Sequence, residues 1–105
     1  MSLFPPPKDV KTEIFARVPD EFRKSGRRPS WGEANMPGRD IDCFLEGPSF
    51  DTEGNLYLVN IPYGEIFKVT SSANFSLVAQ YDGWPNGLKV DREGNLIIAD
   101  YKRGI

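Results

Sequence analysis

One phrase of sequence occurs twice in this chain, the second copy forty residues after the first. Gly47-Pro-Ser-Phe-Asp51-Thr-Glu53-Gly54-Asn55-Leu56-Tyr-Leu-Val-Asn60 returns as Gly87-Leu-Lys-Val-Asp91-Arg-Glu93-Gly94-Asn95-Leu96-Ile-Ile-Ala-Asp100. Gly, Asp, Glu, Gly, Asn and Leu keep the same offsets in both. A period of about 40 residues built from short strands marks a β-propeller blade. In each copy Asp-x-Glu-Gly-Asn-Leu separates two short apolar runs. Gly54 and Gly94 suit the positive φ of a tight hairpin, and Asp51 and Asp91 can bond back onto the turn.

After the first copy, Asn55 to Asn60 reads as a strand, and Ile61-Pro62-Tyr63-Gly64 ends it. Glu65 to Val69 alternates as a half-buried strand does, Thr70 to Asn74 is a polar turn, and Phe75 to Tyr81 is a further strand. Residues 46–82 therefore predict a complete four-stranded antiparallel blade, and 86–105 a half blade. The expected fold is all-β, about one and a half propeller blades over residues 43–105. Residues 1–42 form an N-terminal extension. Within it Pro5-Pro6-Pro7 is extended, and residues 11–18 have the alternation of a strand that closes the last blade of a propeller. Asp20 is expected to cap a short helix over Glu21 to Lys24, Ser30 to Asn35 to form a helical turn, and Gly38 to Asp42 a loop.

Composition narrows the function classes. With 27% charged residues and a net charge of −2, long-range attraction to nucleic acid is not expected. Arg23, Lys24, Arg27 and Arg28 are basic but lack an interleaved aromatic platform, and they read as a solvated loop. No apolar run is long enough for a transmembrane helix. The start, from Met1 to Pro7, lacks the regions of a signal peptide. The lone Cys43 fits a reducing, cytoplasmic setting. With no His in the chain and no obvious activating base for Cys43, that thiol reads as a packing residue.

Glu46 stands just before Gly47-Pro48, at the start of the innermost strand of its blade. Asn86 holds the equivalent place in the second copy. Two oxygen-bearing side chains at one height on neighbouring strands are what a hard cation such as Ca²⁺ selects. The other reading is that both satisfy backbone groups at strand starts, and the residues alone leave both open. Trp84, at the rim beside Asn86, either supports a substrate ring or packs. Lys102 and Arg103 either reach an anionic substrate or lie in a solvated turn. Tyr57, Phe67 and Tyr81 read as packing residues, and Asp51, Asp91 and Asp100 as turn formers, with lining of the channel as the lesser alternative for Asp100.

Glu46-Gly-Pro-Ser-Phe-Asp51, Glu53-Gly-Asn-Leu-Tyr57, Pro85-Asn-Gly-Leu88 and Glu93-Gly-Asn-Leu96 through Ala99-Asp100 to Ile105 resemble the opening of the gluconolactonase family, which includes regucalcin and luciferin-regenerating enzyme. The resemblance covers residues 43–105. It implies a six-bladed propeller that hydrolyses lactones with a divalent cation, usually Ca²⁺, in its central channel. It makes Glu46 the first metal ligand, and Asn86 a channel-lining residue that touches metal or substrate. The family's remaining ligands and its catalytic acid–base Asp have no counterpart in these residues.

Three functions remain open. The chain belongs to a metal-dependent lactonase, or it assembles a propeller from several copies, or it is a non-catalytic binding or scaffold module. Open sheet edges invite pairing between copies, so the chain is expected to be marginal in stability, a homo-oligomer or aggregation-prone. Val90, Leu96, Ile97 and Ile98 are expected to be incompletely buried.

Overall fold

A computed structural model describes residues 3–105 of the chain. Met1 and Ser2, at the head of the stretch expected to carry no signal peptide, lie outside the described residues. The repeated phrase folds the same way twice. Asp51 Oδ1 accepts the backbone N–H groups of Glu53 and Asn55, and its Oδ2 accepts from the Asn55 side chain, all at 2.9 Å. Asp91 makes the same three bonds to Glu93 and Asn95, at 2.9, 2.8 and 3.0 Å. The side-chain bonds from Asn55 and Asn95, with the backbone donors, hold both carboxyls below the usual carboxylate range. Gly54 and Gly94 occupy φ 82° and 84°, where glycine alone is relaxed.

These turns set the strands. β1 (Leu45–Phe50), β2 (Leu56–Asn60), β3 (Glu65–Val69) and β4 (Phe75–Gln80) form one antiparallel sheet in sequential order. β5 (Pro85–Val90) and β6 (Leu96–Asp100) form a second, two-stranded sheet. The architecture is all-β, as the repeat predicts, and neither sheet closes on itself. The register slips between Glu46 and Ser49 in β1, and between Pro85 and Gly87 in β5. Both copies thus bend where the first strand begins.

The four-stranded sheet is covered on both faces. Leu58 pairs with Phe67 and Val59 with Ile66 across β2 and β3, so each pair faces the opposite way from the next. On one face Val59, Ile61 and Ile66 form a core with Leu88 and Val90 of β5, joined by Trp31 and Ile41 from the extension. On the other, the ring of Phe22 packs against Phe67 with centroids 5.2 Å apart, and Phe75 approaches Phe67 at 6.0 Å. Phe67 has no exposed surface, and burying such a side chain contributes about 1.5–3 kcal/mol.

Several expectations are corrected. β3 is not half-buried; Glu65 is 3% exposed because the extension covers its face. Residues 11–18 form no strand: no ladder reaches them, Ile14 is exposed, and Phe15 lies over a cavity of about 280 Å³ shared with Phe50, Leu56 and Val69. Asp20 caps nothing. It lies inside a 3₁₀ turn, Asp20–Phe22. The helix α1 (Ser30–Asn35) forms without a side-chain cap, anchored by Trp31, whose ring packs at 5.0 Å on Phe44. Val90 is buried, since β5 turns its apolar face back onto the first sheet, whereas Ile97 stays exposed.

Between β2 and β3 the turn Ile61–Tyr63 ends at Gly64, with φ 63°. A Cβ on Gly64 would collide with the Tyr81 carbonyl oxygen, while one on Gly54 would meet open space. Gly54→Ala is expected to cost about 1 kcal/mol, the penalty of a left-handed alanine. Gly64→Ala is expected to exceed about 3 kcal/mol, because the collision adds to the strain. Urea denaturation of both variants checks this, and equal losses would contradict it.

Candidate functional site

The two starts of the repeated phrase meet where β1 faces β5. Gly47 sits at φ 60°, and a Cβ there would stand 2.6 Å from the Asn86 carbonyl oxygen and 2.8 Å from the Leu88 nitrogen. Two residues on, the buried Ser49 accepts the Val90 N–H on its Oγ at 3.1 Å. The strands therefore run against each other with Glu46 and Asn86 on adjoining backbones. Glu46 is exposed and Asn86 half-buried.

Each start is pinned by the same clip. Asn60 Oδ1 accepts the Phe44 N–H at 2.8 Å, and the Ile61 N–H donates to the Phe44 carbonyl at 3.1 Å. Forty residues later Asp100 Oδ1 accepts the Trp84 N–H at 3.1 Å, and the Tyr101 N–H donates to the Trp84 carbonyl at 3.0 Å. Phe44 and Trp84 each precede the candidate residue by two positions. The sequence does hold a signal for these positioning residues: Asn60 and Asp100 close the repeated phrase at the same offset, both with a side-chain oxygen.

The clips differ in what backs them. Asn60 Nδ2 donates to Glu65 Oε2 at 2.8 Å. The Tyr81 hydroxyl donates to Asp100 Oδ2 at 2.5 Å, and Asp100 Oδ1 also accepts the Lys102 and Arg103 N–H groups at 2.7 and 2.8 Å. Burial alone would raise the Asp100 carboxyl, but Tyr81 and the backbone donors outweigh it and hold it below its usual range. Burial, then the Asp100 carboxylate, pushes the Tyr81 phenol well up.

Trp84 packs on the core and carries Lys102 Nζ at 5.7 Å over its ring. It lines a cavity of about 280 Å³ with Tyr63, Tyr81 and Asp82. Asn86 instead lines a cleft of about 230 Å³ with Gly87, Ala99, Asp100 and Tyr101. The two candidate substrate residues thus face different openings. Lys102 and Arg103 both reach Asp82 at 2.5 Å, exposed pairs that contribute little. In the basic cluster Arg23 pairs with Asp42 at 2.6 Å, Lys24 with Glu65 at 2.5 Å and Arg28 with Asp40 at 3.0 Å. Burial, then the neighbouring Asp42, pushes the Cys43 thiol up, away from the nucleophilic thiolate.

Among the described residues no group of three or more His, Cys, Asp or Glu side chains is arranged so that it could hold a metal ion. Glu46 and Asn86 offer two side-chain ligands, against the roughly 6–8 oxygens that Ca²⁺ takes. By themselves they do not fit the ion. Comparison with known protein families, with curated proteins and with solved structures found no match to this chain.

The tyrosines give a direct check on the second clip. A phenol whose value is raised by folding stabilises the fold fully below the ordinary tyrosine value near 10. That contribution is lost as the pH climbs through the raised value. In an alkaline titration followed by tyrosinate absorbance, Tyr81→Phe is expected to remove a phenol from the late part of the curve. Loss from the early part would contradict the Tyr81–Asp100 bond.

Proposed function

We propose that these residues belong to a β-propeller hydrolase of lactones of the gluconolactonase type. Glu46 supplies a carboxylate and Asn86 an amide oxygen to its central divalent cation, with Ca²⁺ the expected ion. The observation that carries this reading is the docking of β5 on β1, which stacks two copies of one repeat with their first-strand starts adjoining. Carrying that packing forward by one repeat puts a third sheet on the outer side of β5 and β6, where Gly87, Lys89, Ile97 and Ala99 are exposed. The cation's other oxygens then come from further repeats, in the same chain or in other copies. Two ligands do not fix a cation, so no chemical step follows from these residues alone. The small-molecule partner is a lactone.

A second reading rests on the same scarcity of ligands among the described residues: a non-catalytic binding or scaffold module, or a propeller self-assembled as a homo-oligomer. A cytoplasmic location is proposed from the unpaired Cys43. No helix among the described residues is long and apolar enough to cross a membrane.

Hydrolysis of glucono-1,5-lactone in a pH-stat, with and without Ca²⁺ and with the protein's mass measured in parallel, tests both readings. The lactonase reading expects Ca²⁺-stimulated turnover in an assembled propeller, and a fall of more than about tenfold in Glu46→Gln. Full Ca²⁺ stimulation in Glu46→Gln would remove Glu46 from the site. A stable oligomer without turnover would favour the scaffold.

A further inference from the structure

Lys24 differs from its basic neighbours in being drawn into the protein. Its side chain is 18% exposed and that of its partner Glu65 only 3%. Around Lys24 Nζ stand Glu65 Oε1 at 2.5 Å, the Phe22 carbonyl oxygen at 3.4 Å and the Tyr63 ring, 4.7 Å to its centroid. A carboxylate, a carbonyl oxygen and an aromatic face gathered on one nitrogen are what a primary alkylammonium selects. Glu65 comes from the start of β3, Tyr63 from the turn before it, and the Phe22 carbonyl from the extension itself. Glu65 is held by Asn60 Nδ2 at 2.8 Å and approached by Gln80 Nε2 at 3.5 Å, and Asn60 is fully buried. The ammonium comes from the extension, whose residues 3–15 are all exposed.

The same chain of bonds runs on to the candidate site. Lys24 holds Glu65, Glu65 holds Asn60, and Asn60 accepts the N–H of Phe44, two residues before Glu46. We propose that Tyr63 and Glu65, the latter held in place by Asn60, form an alkylammonium-binding site that Lys24 fills in cis, and that its occupancy fixes the start of β1, where Glu46 sits. A buried carboxylate without its cation must find other solvation. With the site vacated, Asn60 is drawn toward Glu65 and its hold on Phe44 slackens. The short segment that carries Phe22 and Lys24 is then a detachable strap over Phe67. This inference does not rest on the lactonase reading, since its readouts require no turnover.

The test uses the full chain with Lys24→Ala, followed by amide hydrogen exchange at Phe44 and Phe22, with n-butylammonium as the probe ligand. Exchange at both amides is expected to quicken by about tenfold or more. Butylammonium restores Phe44 protection, and tetramethylammonium, which has no N–H to donate, does not. The neutral pair Lys24→Met with Glu65→Gln is expected to be indifferent to butylammonium. Unchanged exchange at Phe44 in Lys24→Ala would overturn the proposal. So would equal effects of the two ammonium ions, or a response of the neutral pair to butylammonium. If Lys24→Ala does not fold, refolding by butylammonium but not tetramethylammonium supports the site, and refolding by neither overturns it.

Discussion

At Gly47 the backbone of β1 comes so near β5 that any side chain would meet the Asn86 carbonyl and the Leu88 amide. Everything between the two sheets follows from that approach. It lets Ser49 reach the Val90 N–H, sets Leu88 and Val90 against Val59, Ile61 and Ile66, and leaves Trp31 and Ile41 to fill the open end of the core. Positive φ and lack of space act together here, so the position excludes other residues on two separate grounds. The approach also aligns Glu46 with Asn86, which ties the candidate chemistry to the packing rather than to a loop.

The opposite face of the first sheet depends on polar groups. Glu65 and Asn60 are buried at the end of the β2–β3 ladder, where an unpaired carboxylate would be costly. Lys24 answers that charge from the extension, and breaking such a buried pair from one side typically costs about 3–5 kcal/mol. Among the described residues no buried side-chain polar atom lacks a partner. Residues 18–44 are therefore integral to the packing of the sheet, although none of them is in a strand. They provide the counter-charge on one face and two core side chains on the other.

What could be read in the sequence was local. The Asp-x-Glu-Gly-Asn turns carry their own hydrogen bonds within five residues, so composition and spacing were enough to place them and the strands on either side. Glu46 and Asn86 were legible as equivalent positions, because the repeat itself marks them. Lys24 and Glu65 were not: they lie 41 residues apart, and nothing in a charged strand residue announces that a distant segment will cover it. Residues 11–18 show the opposite failure. Alternation supplied the pattern of a strand, but a strand also needs a free edge within reach, and none pairs with it here.

The face-to-face docking of the two hairpins is best tested by the nuclear Overhauser effect between the Gly47 α-protons and the Leu88 amide proton. The structure predicts a strong cross-peak, together with a slowly exchanging Val90 amide held by Ser49. Absence of that cross-peak, with both Asp-x-Glu-Gly-Asn turns still formed, would mean that the sheets do not stack as described. Glu46 and Asn86 would then not share a site.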